Sequence, residues 1–93
     1  MRKIMKIEVE LYGASKDFSS KNIIKLDLKN NSRIKDLRNE LIKFIDKKHG
    51  GNKNFCQIVT SSAFCSEDNN IVYDDHLISK EQKIAIIPPI AGG

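Results

Sequence analysis

Two stretches of strict alternation constrain the start of this fold. Apolar and charged residues take turns through Met5-Lys6-Ile7-Glu8-Val9-Glu10-Leu11, and Ile24-Lys25-Leu26-Asp27-Leu28-Lys29 repeats the pattern. Successive side chains of a strand point to opposite faces, so Met5, Ile7, Val9 and Leu11 share a buried side while Lys6, Glu8 and Glu10 face water. Between the two stretches, Gly13-Ala14-Ser15-Lys16-Asp17 breaks the alternation as a turn or loop. The segments 5–12 and 22–29 are expected to pair as an antiparallel hairpin with a long connection.

The next pattern has a different period. Ile34, Leu37, Leu41, Phe44 and Ile45 fall within an arc of roughly 100° at helical spacing, with Lys35, Arg38, Asp46 and Lys47 outside that stripe or on its edges. This predicts one amphipathic helix over residues 33–48. Asn30-Asn31-Ser32 offers N-caps, Asp36 suits the positive end of the helix dipole, and Lys47, Lys48 and His49 suit the negative end. Gly50-Gly51 supplies the stop. Beyond it, Phe55-Cys56-Gln57-Ile58-Val59-Thr60 reads as a strand, Ala63-Phe64-Cys65 as a shorter one and Glu67-Asp68-Asn69-Asn70 as a turn. Ile71-Val72-Tyr73 continues the ladder, Asp74-Asp75-His76 and Ser79-Lys80-Glu81-Gln82 are loops, and Lys83 to Ile87 is the last strand, stopped by Pro88-Pro89. The order β-β-α-β-β, with one main helix on one face of a mixed sheet, is an α+β pattern of the β-grasp, or ubiquitin-like, kind. The expected division is a β-grasp domain over 1–87 and an extended tail over 88–93.

Ninety-three residues leave room for one small domain, without the interior for a deep active site. No apolar run approaches the roughly 20 residues that cross a bilayer, and the N-terminus leads into no signal-peptide core, so the chain reads as cytoplasmic with no membrane partner. The net charge of +4 comes mostly from thirteen lysines, with arginine only at positions 2, 33 and 38 and aromatics at 6%. Readers of nucleic acid rely on arginine forks and stacked aromatic rings, so the charge reads as a solvated surface and no nucleic-acid partner is expected. Cys56 and Cys65 form no CxxC pair and read as reduced thiols.

Catalytic constellations are nearly empty. There is no phosphate loop, no HExxH and no zinc-ligand spacing. His49 at a helix end and His76 in a loop read as exposed or capping residues, Asp74-Asp75 as solvated carboxylates, and no metal is expected. The last ten residues, Ile84-Ala85-Ile86-Ile87-Pro88-Pro89-Ile90-Ala91-Gly92-Gly93, are different. Pro88 and Pro89 fix φ and favour extended geometry before them, so the tail is expected to leave the domain stiff and outward. Six extended residues reach about 20 Å, enough to enter another protein's active site. Gly92 and Gly93, without side chains, pass a narrow channel. The terminal carboxylate is ionised at neutral pH and can attack the α-phosphate of ATP. No charged residue follows Lys83, whereas a dispensable terminus is usually more polar.

This terminal decapeptide resembles the MoaD type of sulfur carrier, the small subunit of molybdopterin synthase, whose members end in a strand of the form φ-A-φ-I-P-P-φ-[SA]-G-G. Val9-Glu10-Leu11-Tyr12-Gly13-Ala14, Ile34-Lys35-Asp36-Leu37-Arg38-Asn39-Glu40-Leu41 and the stretch from Asp74-Asp75 to Leu77 are also similar to parts of that family. Related Gly-Gly carriers of the thiazole-forming ThiS type generally lack the Pro-Pro pair. The chain departs from the family in having Lys80-Glu81-Gln82 where an Asp-Gly-Asp turn is common, and in a slightly longer Glu67–Asn70 turn.

The resemblance implies a carrier that is no enzyme on its own and binds no cofactor. An E1-like activating enzyme, similar to MoeB, would use ATP to adenylate Gly93, and sulfur transfer would leave a thiocarboxylate. The tail would then enter a large catalytic subunit, similar to MoaE, and give its sulfur to cyclic pyranopterin monophosphate in molybdenum cofactor biosynthesis, within a heterotetramer. Gly93 would be the chemical site, Gly92 would give passage, and Ala91, Ile90, Pro89 and Pro88 would position the tail. Ile87 would belong to the docking surface. The alternatives are a ubiquitin-like protein modifier using the same carboxylate, or a sulfur carrier for thiazole formation or tRNA thiolation.

Overall fold

The computed structural model describes residues 4–89. The two alternating segments form β1 (Ile4–Leu11) and β2 (Ile23–Lys29), paired antiparallel from Ile4 opposite Lys29 to Glu10 opposite Ile23. Their connection contains a 3₁₀ helix, Gly13–Phe18, that drives Phe18 fully into the core. The helix-phased segment forms α1 (Ile34–His49), and Ile34, Leu37, Leu41 and Ile45 are completely buried. Gly50 closes α1 in the left-handed conformation at φ 61°, which glycine adopts without steric cost.

The N-terminus of α1 is finished differently from the sequence reading. Asn30, Asn31 and Ser32 do not cap it. Arg33 is the N-cap, and its N–H donates to the Asp36 carboxylate at 2.8 Å, while the Ser32 hydroxyl turns back to the Lys29 carbonyl. The orphan N–H groups of Ile34 and Lys35 donate to the carbonyls of His76 and Asp74 at 3.0 and 3.1 Å. A distant loop thus does the work that a side-chain oxygen does at most helix starts.

The second correction is larger. Phe55–Thr60 is not a strand but the body of a second helix, α2 (Lys53–Ser61). Asn52 accepts a hydrogen bond from the Phe55 N–H and so nucleates the first turn. Helical spacing then turns Phe55, Ile58 and Val59 toward the core. Phe55 packs against Phe18 with ring centroids 5.2 Å apart and stands T-shaped to the His49 ring at 5.0 Å. The Nε2 of His49 lies 2.7 Å from the Phe18 carbonyl. A carbonyl only accepts, so that nitrogen carries the proton. His49 is therefore half-buried between the two helices rather than an exposed end residue.

The remaining strands are β3 (Ala63–Cys65), β4 (Ile71–Val72) and β5 (Gln82–Ile87). The ladder stops one residue short of Tyr73, and β5 starts one residue before Lys83. The sheet order is β2-β1-β5-β3-β4. β5 runs parallel to β1 and antiparallel to β3, so the last strand is central. Both helices cover one face, and the core lies between them and Met5, Ile7, Val9, Leu11, Ile84 and Ile86. Among the described residues no helix is long and apolar enough to cross a membrane.

Candidate functional site

Four of the residues that the sequence singles out, Ile90, Ala91, Gly92 and Gly93, lie outside the described residues. The structure describes their root. β5 alternates like β1, so Ile84 and Ile86 enter the core at 1% and 0% exposure, while Ala85 and Ile87 face the other side of the sheet, Ile87 at 38%. Ile86 lies opposite Leu11 of β1 and Phe64 of β3, and Ile87 opposite Ala63. Strand pairing on both sides therefore holds the backbone to within one residue of Pro88.

Pro88 is half-buried and Pro89 exposed. The Pro88 ring comes within 3.9 Å of where a Cβ on Gly13 would stand. The turn that carries Gly13 is fastened locally: the Ser15 hydroxyl donates to the Tyr12 carbonyl at 2.6 Å and accepts from the Tyr12 N–H at 2.9 Å. The 3₁₀ turn thus forms a wall beside the exit of β5.

On the outer face of the sheet, a shallow cleft of about 260 Å³ lies beside that root, lined by Glu10, Tyr12, Cys65, Lys83, Ala85 and Ile87 among others. The register places Glu10, Ala85, Cys65 and Ile71 in one cross-strand row, and paired residues share a face. Ile71 at 48% and Tyr73 at 76% exposure extend the apolar surface toward β4. At the rim, Lys80 and Glu67 form an ion pair at 2.8 Å. Hydrogen bonding to Glu67 and its negative charge, with Asp68 adding, hold the Lys80 ammonium above its ordinary 10.5.

The Cys65 thiol lines this cleft, and the other candidate reacting groups among the described residues lie elsewhere. Cys56 sits on α2 and Cys65 on β3, both free and half-buried. His49 is committed to the Phe18 carbonyl. His76 is exposed, and its backbone carbonyl is used in the α1 cap. Among the described residues no three His, Cys, Asp or Glu side chains converge as a metal site would require.

Asp74 and Asp75 are exposed, as the sequence suggests, but Asp74 is not free. It pairs with Arg38, whose Nη2 donates to Asp74 Oδ1 at 2.8 Å and whose Nη1 donates to the carbonyls of Val59 and Ser62 at 2.6 and 2.8 Å. The guanidinium also lies 4.9 Å from the centre of the Phe64 ring. Sequence reasoning gave Arg38 no role. The available signal was an arginine at the border of the apolar stripe in a helix whose other cations, past the cap, are lysines.

No family model and no curated protein sequence matches the chain. Solved structures do. A Pyrococcus furiosus protein provisionally assigned as molybdopterin converting factor, subunit 1, is 14% identical with a TM-score of 0.68, covering 92% of this chain and 99% of that one. Small archaeal modifier protein 1 from Methanosarcina acetivorans is 18% identical with a TM-score of 0.58 over 98% and 99% of the two chains. The ubiquitin of Caldiarchaeum subterraneum is 13% identical with a TM-score of 0.60 over 98% and 100%. Sheet order, crossover helix and central last strand agree with these matches: the chain has the ubiquitin-like β-grasp fold, in common with MoaD-like and archaeal modifier proteins.

Proposed function

We infer that the chain is a sulfur carrier of the molybdopterin-synthase type and that Gly93 is its only chemical site. The observation that supports this most is the root of the tail. β5 is clamped between β1 and β3 and runs directly into Pro88-Pro89, ahead of a sequence that ends in Gly92-Gly93. A carrier needs a rigid body, a fixed point of departure and an unhindered end. It does not need a catalytic pocket.

In this reading a Gly93 carboxylate oxygen attacks the α-phosphate of ATP in an E1-like partner, and pyrophosphate leaves. A sulfide then attacks the acyl carbon and AMP leaves, giving the thiocarboxylate. The loaded tail enters a large catalytic subunit and transfers sulfur to cyclic pyranopterin monophosphate. Ile87 and Ala85, on the outer face at the base of the tail, belong to the docking surface, while Pro88 to Ala91 hold the glycines in line. The second reading, a ubiquitin-like modifier, is favoured by the likeness to an archaeal modifier protein and to a ubiquitin.

The deciding experiment is intact mass spectrometry after incubation with ATP, an activating enzyme and a sulfur source. The carrier reading expects a gain equal to sulfur replacing oxygen, lost when Gly93 is deleted. The modifier reading expects a ladder of lysine conjugates. Deletion of Gly93 without loss of sulfur transfer would end the proposal.

A further inference from the structure

The outward-facing charges of β1 are matched across the sheet by register, with one exception. Lys6 lies opposite Asp27 of β2, and Glu8 lies between Lys25 of β2 and Lys83 of β5. Residues directly opposite on one face have Cβ atoms about 4.5–5.5 Å apart, close enough for opposite charges to satisfy one another. Glu10 instead has Ile23 on one side and Ala85 on the other. Lys25 and Lys83 are diagonal to it and already stand opposite Glu8.

The surroundings of Glu10 are apolar. Its row continues through Ala85 and Cys65 to the exposed Ile71, and the next row toward the tail sets Ile87 opposite Ala63. Tyr12, 44% exposed, follows Glu10 by two residues and lines the same cleft of about 260 Å³. The other carboxylate of that cleft, Glu67, is engaged by Lys80 at 2.8 Å. Glu10 is half-buried, and with the face open its charge stays hydrated. A wholly apolar partner laid over Ala85 and Ile87 would strip that hydration and leave a buried carboxylate unpaired, cancelling much of the gain from the apolar contacts. The face therefore discriminates by charge: it favours a partner that brings a cation to this one point.

We propose that Glu10 selects the protein that docks over the root of the tail, and that this partner presents an arginine set among apolar side chains. The inference rests on the reading above, in which a partner covers Ala85 and Ile87. A guanidinium forks onto a carboxylate and lies flat on an aromatic face, so one arginine can meet Glu10 and the Tyr12 ring together. The ammonium of lysine is compact and strongly hydrated, and fits an apolar surround less well. A second copy of this chain is a poor occupant, because a two-fold axis through this row sets Glu10 against Glu10.

The test is amide NMR on the full chain, without an activating enzyme, so its outcome is separate from that of the sulfur-loading experiment. The probe is the capped peptide Leu-Tyr-Arg-Val-Leu, compared with the same peptide carrying citrulline, the neutral isostere, in place of arginine. Expected are shifts centred on Glu10, Ala85 and Ile87, and an affinity about tenfold weaker for the citrulline peptide. Glu10→Gln should bring the arginine peptide down to the level of the citrulline one. Glu10→Arg should make a peptide with glutamate at the central position the better ligand. Glu8→Gln, on the same face but flanked by lysines, should change either affinity by less than about twofold. All three variants alter an outward side chain, so their spectra should remain those of the folded chain. Absence of binding at millimolar peptide, equal binding of the arginine and citrulline peptides, shifts centred away from Glu10, or equal effects of Glu8→Gln and Glu10→Gln would each overturn the proposal. Loading of Gly93 without selective peptide binding would remove this inference and leave the carrier reading standing, whereas selective binding without loading would do the reverse.

Discussion

Residues 4–49 and residues 50–82 build the same core by different means. In the first part the order is periodic: every second residue of β1 and every third or fourth of α1 is buried, and the backbone bonds run in long ladders. In the second part the strands are three and two residues long, and much of the chain is turn. One side chain does there what periodicity does elsewhere. Arg38 reaches from α1 to the end of α2 and to the 74–76 loop, satisfying the carbonyls of Val59 and Ser62 and the Asp74 carboxylate with a side chain only 17% exposed. The same loop returns its own carbonyls to the N–H groups of Ile34 and Lys35. Regular packing tolerates water at its margins, but a segment with few apolar contacts needs its polar groups tied down individually.

Breaking either half sharpens this contrast. Leu41 is completely buried against both layers, so Leu41→Ala should cost about 3–4 kcal/mol by urea denaturation, through lost transfer energy and a residual cavity. The loss should be global, raising amide exchange throughout. Arg38→Met keeps much of the stem but abandons two carbonyls and a carboxylate, and should cost about 3 kcal/mol. Here the increase in exchange should concentrate in residues 58–62 and 74–78. An equal increase across β1 and β2 would show that the two halves are one cooperative unit. Arg38→Lys should recover less than half of the loss, because an ammonium cannot fork between Asp74 and two carbonyls.

The same contrast explains what could be read from the sequence. β1, β2 and α1 were legible because their period is local. Residues 55–60 were misread because a short apolar run with β-branched Ile58, Val59 and Thr60 fits strand or helix equally by period. The Asn52 cap and the Phe18–Phe55 contact decide it, and Phe18 is 37 residues away in sequence. Arg38 was illegible for a related reason: its partners lie 21 to 36 residues distant, and nothing in the helix pattern distinguishes a solvated arginine from a bonded one. The expectation for the tail rests on residue types, proline and glycine, rather than on contacts, and its last four residues lie outside the described ones.

Smaller changes should separate the halves further. Asn52→Ala removes the α2 cap and should cost about 1 kcal/mol, with faster exchange confined to the first turn of α2. The smallest effect belongs to the Lys80–Glu67 pair, which joins two loops of the second half. The lysine is exposed, and Glu67 holds its proton more tightly in the fold than in the unfolded chain, above the ordinary 10.5. The pair therefore supports the fold fully below that value, and its support fades as pH climbs through the raised one. Lys80→Met should lower Tm slightly at pH 8, and the gap to the unaltered chain should close at higher pH. Added salt at pH 8 should narrow the same gap, because an exposed pair is screened. A deficit untouched by pH and salt would assign the effect to the aliphatic stem of Lys80 instead of its charge.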